Sequence, residues 1–425
     1  MKFLVEWIDG LPNASAEERA SMCDLRIVVG DSNACSHWDD ASHESYESVV
    51  VPAVHLAEGI ATDWWSIFGG RDCKRSIWAY GTGFVLPCLS FGCDGSVFEV
   101  SGEQMSCENP GVRFWRVETE TISREEAEFH LSGFIGDVVD RLSGEGIERS
   151  EVQLRWKRVS ESRQDPEQAS FCEAAGALGL DPYAMDNADA DFIFQAGGVL
   201  TGTPLTEFLA GVTPARPEGR HKVLASVEEA AGKVEPRWRL PELRAATEAV
   251  DSVLRERRAG EGVWGSAYRL ARAIRRSIGV GEGYEFDSVC NIAGKLGNSS
   301  FEWSKGLSGV DGVVSRGTEV HIHLRKPKYG PPWFENFNLA RAIGDAVCFP
   351  EEGASVVNRL HGAERQAAGR AFAAEFLAPV EAVRAMVQEG YDIGEIAGRF
   401  VVDPRVVQLQ IENRNRVEQA CFGIM

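Results

Sequence analysis

Long apolar runs are missing from this sequence: it has no stretch of about 18 or more apolar residues, the length that a membrane-spanning helix needs. Basic residues are also in short supply, with 44 lysines and arginines against 64 acids and a formal net charge of −20. The first absence excludes a membrane-spanning helix. The second disfavours nonspecific attraction to nucleic acid or to anionic lipid. We therefore expect neither a membrane nor a direct nucleic-acid partner.

Signals for disulfide pairing and for secretion are missing as well. The ten cysteines are scattered and form no C-x-x-C pair. Residues 1–9, MKFLVEWID, carry acids and lack the continuous apolar region of a signal peptide, so they indicate a first β-strand. Buried, reduced thiols are then the expected state of the cysteines, and the predicted location is the cytoplasm.

Several familiar motifs of catalysis and nucleotide binding are also absent. The sequence has no G-x-S-x-G nucleophile elbow, no Walker A pattern and no G-x-G-x-x-G after a strand. Neither a serine hydrolase of that type nor a nucleotide-binding site of those two types is therefore expected.

The length and the local patterns predict an α+β protein of several domains. A chain of 425 residues with 44% hydrophobic content is long enough for two or three domains. Residues 1–160 mix strands with helices and predict an α/β domain. Residues 161–245 predict a helical middle region with a linker rich in proline and glycine at 213–219. Residues 246–425 form the remaining, C-terminal part of the chain, in which 309–324 predict strands.

Apolar spacing predicts the buried faces of two helices in the first domain. In 52–68, the spacing i, i+4, i+8, i+11 marks one stripe, formed by Leu56, Ile60, Trp64 and Ile67. In 123–142, a capping box opens the helix, and a wide face is predicted from Phe129, Phe134, Ile135, Val138, Val139 and Leu142.

Two segments in the C-terminal domain resemble the active-site helices of a peptidase family. Residues 337–349, FNLARAIGDAVCF, resemble the F-T-L-A-H-E-L-G-H-x-L-L-H segment of the ImmA/IrrE metallopeptidase family. Residues 364–379, ERQAAGRAFAAEFLAP, resemble that family's E-x-x-A-N-x-F-A-A-E-L-L-M-P. Upstream, 263–275 and 286–297 resemble its first helix and its second, short helix, and 309–324 predict strands. The resemblance covers 246–425.

The resemblance implies a zincin-like α+β domain with a small sheet and an active-site type of helix. Family members cleave helix-turn-helix repressors in mobile elements and in stress responses. The resemblance therefore implies a protein partner of that type, and a role in transcriptional regulation.

The residues that perform zinc chemistry in that family are replaced here. In an H-E-x-x-H helix, two histidines one turn apart bind Zn²⁺ and the glutamate activates the bound water. Arg341 and Asp345 stand at the histidine positions, and Ala342 stands at the position of the glutamate. A guanidinium has no lone pair for a metal, and a methyl group accepts no proton. We expect no catalytic residue at these degenerate positions, and no cofactor.

Glu364 matches the position of the family's third zinc ligand and is retained. Arg341 and Asp345 are spaced i, i+4 and can pair on one helix face. With Glu364 nearby, one guanidinium could serve two carboxylates. We expect Arg341, Asp345 and Glu364 to form a salt-bridged cluster in place of the metal.

A rebuilt metal site is the alternative. His321 and His323 lie two residues apart on a predicted strand and so share a face, and His361 lies three residues before Glu364. A site of His321, His323, His361 and Glu364 would hold Zn²⁺ and would make the protein an active metal-dependent endopeptidase.

The function expected from these observations is that of a cytoplasmic, catalytically degenerate peptidase that binds a protein and regulates it. An active endopeptidase and a scaffold without a cleft are the alternatives. Residues 393–410 have helix-turn-helix periodicity, and seven acids in 381–425 argue against a DNA-reading surface. We expect 393–410 to be a helix pair that completes the domain.

Overall fold

The computed structural model describes residues 1–69, 74–93, 95, 97–102, 111–212, 217–232, 238–248, 250, 263–297, 303–304, 306–327, 330–360 and 363–412. The chain forms two compact units, Met1–Ile193 and Phe194–Met425. The fold is of the predicted α+β class. The three-part division with boundaries at 160 and 245 differs from these units, because the helices of the middle region join the cores on either side of them.

The first unit contains small antiparallel sheets and long helices. Its strands are β1 Lys2–Trp7, β2 Met22–Val29, β3 Ser32–Asn33, β4 His37–Asp39, β5 Glu44–Tyr46, β6 Val49–Pro52, β7 Arg75–Ser76, β8 Leu89–Cys93, β9 Val97–Gly102, β10 Val112–Phe114 and β11 Glu120–Ser123. Its helices are α1 Ala16–Ala20, α2 Ala53–Phe68, α3 Arg124–Gly144, α4 Glu151–Gln164 and α5 Pro166–Leu178, and α6 Asn187–Gly197 contains the boundary. The sheets run β1-β2-β3 with β6 beside β2, β10-β4-β5, and β11-β9-β8-β7.

The predicted apolar stripe of α2 is confirmed, because Leu56, Ile60, Trp64 and Ile67 are all buried. The predicted face of α3 is wrong at one end, where Phe129 is 73% exposed. The buried stripe of α3 begins at Ala127 and continues through Leu131, Phe134, Ile135, Val138 and Leu142. At 100° per residue, Phe129 lies well off this stripe and therefore faces water.

The cysteines of the described chain largely follow the expectation of burial. Cys23 and Cys35 are buried, and burial raises the pKa of each thiol to about 12. Cys290 departs from the expectation because it is exposed. Burial of a thiol in apolar surroundings keeps it protonated and unreactive.

The second unit places a four-stranded antiparallel sheet against a helix pair. Its strands are β12 Trp238–Arg239, β13 Gly312–Arg316, β14 Val320–Leu324 and β15 Gly353–Val357, in the order β12-β14-β13-β15. Its helices are α7 Thr203–Val212, α8 Pro217–Ala231, α9 Pro241–Glu248, α10 Val263–Ser277, α11 Val289–Lys295, α12 Pro332–Cys348, α13 Glu364–Leu377, α14 Val380–Gln388 and α15 Ile393–Phe400, followed by a helix at 404–412.

One face of this sheet packs on α12 and α13. Val314, Ile322 and Val357 share one apolar core with Leu339 of α12 and Phe372 of α13. In the register, Val314 lies between Ile322 and Ser355, so Ser355 lies on the same face of the sheet as the apolar residues. Polar side chains of β13 and β15 are thereby directed at α12.

Two glycines allow α12 and α13 to approach each other closely. A Cβ at Gly344 would lie 2.7 Å from Cβ of Phe372, and a Cβ at Gly369 would lie 3.2 Å from the carbonyl oxygen of Arg341. A real Cβ at Gly344 would overlap with a rigid, buried ring. The small residues therefore set the distance between the two helices that carry the degenerate positions.

Replacing Gly344 by alanine should lower the free energy of unfolding by about 1–3 kcal/mol. Overpacking against Phe372 outweighs the gain of about 1 kcal/mol in helix propensity. The matched control is Gly398→Ala on α15, where a Cβ meets nothing within 4 Å and stability should be unchanged or higher. Urea denaturation of both variants checks this, and equal stabilities would contradict the packing assigned to Gly344.

The C-terminal helices complete the second core, as predicted for 393–410. Ile396, Phe400 and Val407 are buried in the same apolar cluster as α12 and α13. A capping box at Asp392 begins α15, and Val401 ends it in the left-handed conformation, with φ of 50°. The two helices therefore form part of the apolar core of the second unit.

Candidate functional site

The degenerate positions lie one turn apart on α12, in the interior of the second unit. Arg341 and Asp345 are both buried, and Ala342 between them is fully buried. Glu364 begins α13 and is partly exposed. The helical spacing predicted for the two histidine positions is therefore present, but the groups that occupy it are a guanidinium and a carboxylate.

Asp345 lies at the centre of a buried ion-pair network. Its Oδ2 accepts a hydrogen bond from Nη1 of Arg316 at 2.8 Å, and its Oδ1 accepts one from Nη2 of Arg365, also at 2.8 Å. The hydroxyl of Ser355 donates to the same Oδ2. Arg316 comes from β13, Ser355 from β15 and Arg365 from α13, so one carboxylate connects four elements. Both of its oxygens are engaged.

The two guanidiniums beside Asp345 have further partners. Nε of Arg316 donates to the carbonyl oxygen of Glu351 at 2.9 Å. The guanidinium of Arg365 lies over the ring of Phe349, 4.3 Å from its centroid. Burial lowers the pKa of Arg316, and the nearby Asp345 opposes this effect. Charges buried in this way stabilise each other. If one of them is removed, the others stay buried without a partner, and their desolvation is no longer compensated.

Arg341 points to a different set of partners. Its Nη2 donates to the carbonyl oxygen of Asn358 and, at 3.1 Å, to Oε1 of Gln366. Its nearest carboxylate is that of Asp311, with Oδ2 at 3.9 Å from Nη1. Burial lowers the pKa of Arg341 to about 10, which still leaves the guanidinium charged at neutral pH.

The predicted cluster of Arg341, Asp345 and Glu364 is therefore wrong in its pairing. Asp345 is paired with Arg316 and Arg365, which reach both of its oxygens, whereas Arg341 forms its ion pair with Asp311. The order along α12 also disfavours the expected pair, since an acid that precedes its base is the better orientation. An ion-pair network is present, but its basic members come from β13 and α13.

Glu207 is a member of this polar region that lies outside the segment of resemblance. It projects from α7 and is 2% exposed. Its Oε1 accepts a hydrogen bond from the backbone N–H of Arg365 at 3.2 Å, and its Oε2 accepts one from Nε2 of Gln366 at 3.1 Å. Burial raises the pKa of Glu207 to about 7. A single acid inside the apolar stretch LTEFLA was the sequence signal for it.

The titration of Glu207 predicts a fall in stability as the pH rises. The pKa of Glu207 is about 7 in the folded protein and 4.5 in the unfolded chain. Between these two pH values, the folded state retains a proton that the unfolded state has released. The free energy of unfolding should thus decrease between about pH 4.5 and 7, by about 3 kcal/mol in total from this group.

Urea denaturation across this pH range tests the prediction for Glu207. Glu207→Gln should flatten the curve, since its side chain does not titrate. Glu228→Gln, at an exposed position on α8, is the control and should retain the decrease. If the free energy of unfolding falls in parallel with pH for wild type and for Glu207→Gln, a group other than Glu207 causes the decrease.

The described members of the alternative metal set are not brought together. His321 and His323 alternate along β14 with Val320, Ile322 and Leu324, which pack into the core with α12 and α13. The two histidines therefore lie on the opposite face of the sheet from the helix that Glu364 begins. His361 lies outside the described residues. In the part of the chain that the structure describes, no group of three or more His, Cys, Asp or Glu could hold a metal ion.

Comparison with known proteins gave no match: no family model, no curated protein and no solved structure is similar to this chain. Within the described ranges, no helix combines the length and the apolar character needed to cross a bilayer.

Proposed function

We propose that the second unit is a catalytically degenerate, ImmA/IrrE-like peptidase domain that binds a protein partner without cutting it. The partner class is a helix-turn-helix repressor, and the protein acts as a cytoplasmic regulator in a mobile-element or stress-response system. The observation that carries the proposal is the ion-pair network of Arg316, Asp345 and Arg365 at the level of the degenerate motif.

The chemistry of these positions supports loss of hydrolysis. Zinc-bound water requires ligands with available lone pairs and a nearby base. Arg341 has five N–H donors and no acceptor. Both oxygens of Asp345 accept hydrogen bonds, and Ala342 offers only a buried methyl group. A metal ion would have to displace two guanidiniums from Asp345 before it could use that carboxylate.

The order of elements supports the resemblance on which the proposal depends. Helix α10 and short helix α11 precede strands β13 and β14, and α12 and α13 follow. This is the order implied by the sequence resemblance of 263–275, 286–297, 309–324, 337–349 and 364–379, with β15 added between the last two helices.

Retention of a binding surface without a metal requires another source of rigidity, and the polar network supplies it. Asp345 ties α12 to β13, β15 and α13, and Gln366 ties α13 to β15 through the carbonyl oxygen of Val356 at 2.8 Å. In a zinc enzyme the metal would join the same two helices. We infer that the network keeps the helices and the sheet in a fixed arrangement that a partner can recognise.

Photo-crosslinking in cells of the source organism tests this function. A photoreactive residue at the exposed position of Glu352, just before β15, should capture a helix-turn-helix protein of full length. The same residue at exposed Glu228 serves as the control for nonspecific capture. Accumulation of a cleaved partner when the protein is expressed would contradict the proposal, and so would equal capture from both positions.

A further inference from the structure

One end of the sheet in the second unit gathers three arginines around a single acid. Strand β13 runs antiparallel to β14 and to β15, so Gly312 at its start pairs with Leu324 and Val357 at their ends. Asp311 precedes β13, Arg325 follows β14 and Arg359 follows β15. The topology therefore brings these charged residues together at one edge, and Arg341 of α12 lies beside them.

Asp311 is shared by all three of these guanidiniums. Its Oδ1 accepts a hydrogen bond from Nη2 of Arg325 at 2.7 Å, and its Oδ2 lies 3.4 Å from Nε of Arg359 and 3.9 Å from Nη1 of Arg341. Asp311 itself is buried. Among the residues that the structure describes, one carboxylate therefore faces three guanidiniums, which is an excess of positive charge at this end of the sheet.

Neighbouring groups do not remove this excess from Arg341. The nearby acid Asp345 is already paired with Arg316 and Arg365. Arg370 of α13 donates a hydrogen bond to the carbonyl oxygen of Leu360. Burial of Arg341 is the main cause of its lowered pKa, and the positive charge of Arg370 lowers it further. Within the described part of the chain, Arg341 thus shares the carboxylate of Asp311 with Arg325 and Arg359.

The excess charge is accessible from solvent. The side chain of Arg359 is 71% exposed and that of Arg325 is 35% exposed. Lys326, next to Arg325, is exposed as well. Guanidiniums bind carboxylates through paired N–H groups, and the two that reach the surface lie on either side of Asp311.

We infer that this edge, formed by Arg325, Arg341 and Arg359 around Asp311, binds an acidic peptide segment of the protein partner. The inference rests on the proposed protein-binding function and adds the chemistry of the bound segment. Carboxylates of the segment would contact Arg325 and Arg359, and buried Arg341 would strengthen the local potential without touching the segment.

The charge of the whole chain favours a short acidic peptide over nucleic acid. A long polyanion would extend beyond the patch and meet a protein with a net charge of −20. At physiological ionic strength, charges are screened over about 8 Å, so a short segment responds mainly to the local arginines. A few glutamates or aspartates therefore match the size of the patch.

Fluorescence anisotropy with a labelled oligoglutamate peptide tests the inference on the full chain. Wild-type protein should bind the peptide, and added salt should weaken binding. Arg359→Glu should weaken it by at least about tenfold, because a charge-assisted pair becomes a repulsion. Arg384→Glu, an equal change of charge at a half-exposed position on α14, is the control and should have little effect. Circular dichroism verifies that both variants fold.

Three results would overturn the inference: no binding by wild type, equal binding by the two variants, or tighter binding of a labelled oligodeoxynucleotide. Failure of the proposed function is distinguishable from these results. Cleavage of a partner would refute the pseudopeptidase and leave peptide binding at the edge intact. Capture of a full-length partner together with absent oligoglutamate binding would refute only the acidic-segment inference.

Discussion

Asp345→Asn should lower the free energy of unfolding of the second unit by about 3–5 kcal/mol, the range for breaking a buried ion pair from one side. The variant leaves the guanidiniums of Arg316 and Arg365 buried with one neutral amide between them. The amide keeps only one of the two carboxylate oxygens, and its N–H₂ group then faces the guanidinium that was bound to the other oxygen. Urea denaturation and hydrogen exchange of α12 measure the loss.

Two controls separate this effect from a general effect of removing charge. Glu285→Gln disrupts the exposed pair with Arg399 and should have little effect on stability, since exposed pairs contribute little. The triple variant Arg316→Met, Asp345→Leu, Arg365→Met removes all the charges and should recover most of the lost stability. If Asp345→Asn proves no more harmful than Glu285→Gln, Asp345 does not hold the four elements together.

Glu375→Ala should lower the free energy of unfolding by about 3 kcal/mol, because it removes the acceptor of three donors. Oε1 of Glu375 accepts from Nε of Arg272 at 2.6 Å, and Oε2 accepts from the backbone N–H of Val380 at 3.0 Å and from Nε2 of Gln410 at 3.2 Å. Arg272 is partly exposed and can turn to water, whereas Gln410 is fully buried.

The loss should be concentrated at the C-terminal helices. Glu375 joins α13 to α10, to the first turn of α14 and to the helix at 404–412, so hydrogen exchange should accelerate most in 380–412. Glu381→Ala, which removes a half-exposed acid on α14, is the control and should change stability by less than about 0.5 kcal/mol. Uniform exchange in both variants would show that Glu375 does not anchor these helices.

Much of the helical framework could be predicted from the sequence, because periodicity and capping are local. The stripe of Leu56, Ile60 and Trp64 on α2 follows from spacing alone. The helix pair at 393–410, which packs on the second core, is indicated by its periodicity together with the acids of 381–425. The face of α3 was misplaced at Phe129 because a hydrophobic residue was counted without regard to its angle. The division into Met1–Ile193 and Phe194–Met425 depends on which core each middle helix joins, and local patterns do not indicate this.

The candidate site could be predicted only in part. Local helical spacing correctly placed Arg341 and Asp345 one turn apart on one helix. The partners of Asp345 could not be predicted, because Arg316 and Ser355 reach it only after β13 and β15 pair in register. Glu207 was missed for the same reason, since its role depends on α7 packing beside the start of α13. Long-range polar contacts are set by topology, which a single sequence does not display.

Calorimetric titration of metal-stripped protein with Zn²⁺ at neutral pH tests most directly whether Arg316 and Arg365 stand in for a metal at Asp345. We expect no saturable one-to-one binding of Zn²⁺, and the same titration curve for wild type and Glu364→Ala. Stoichiometric binding of zinc that is lost in Glu364→Ala would contradict it.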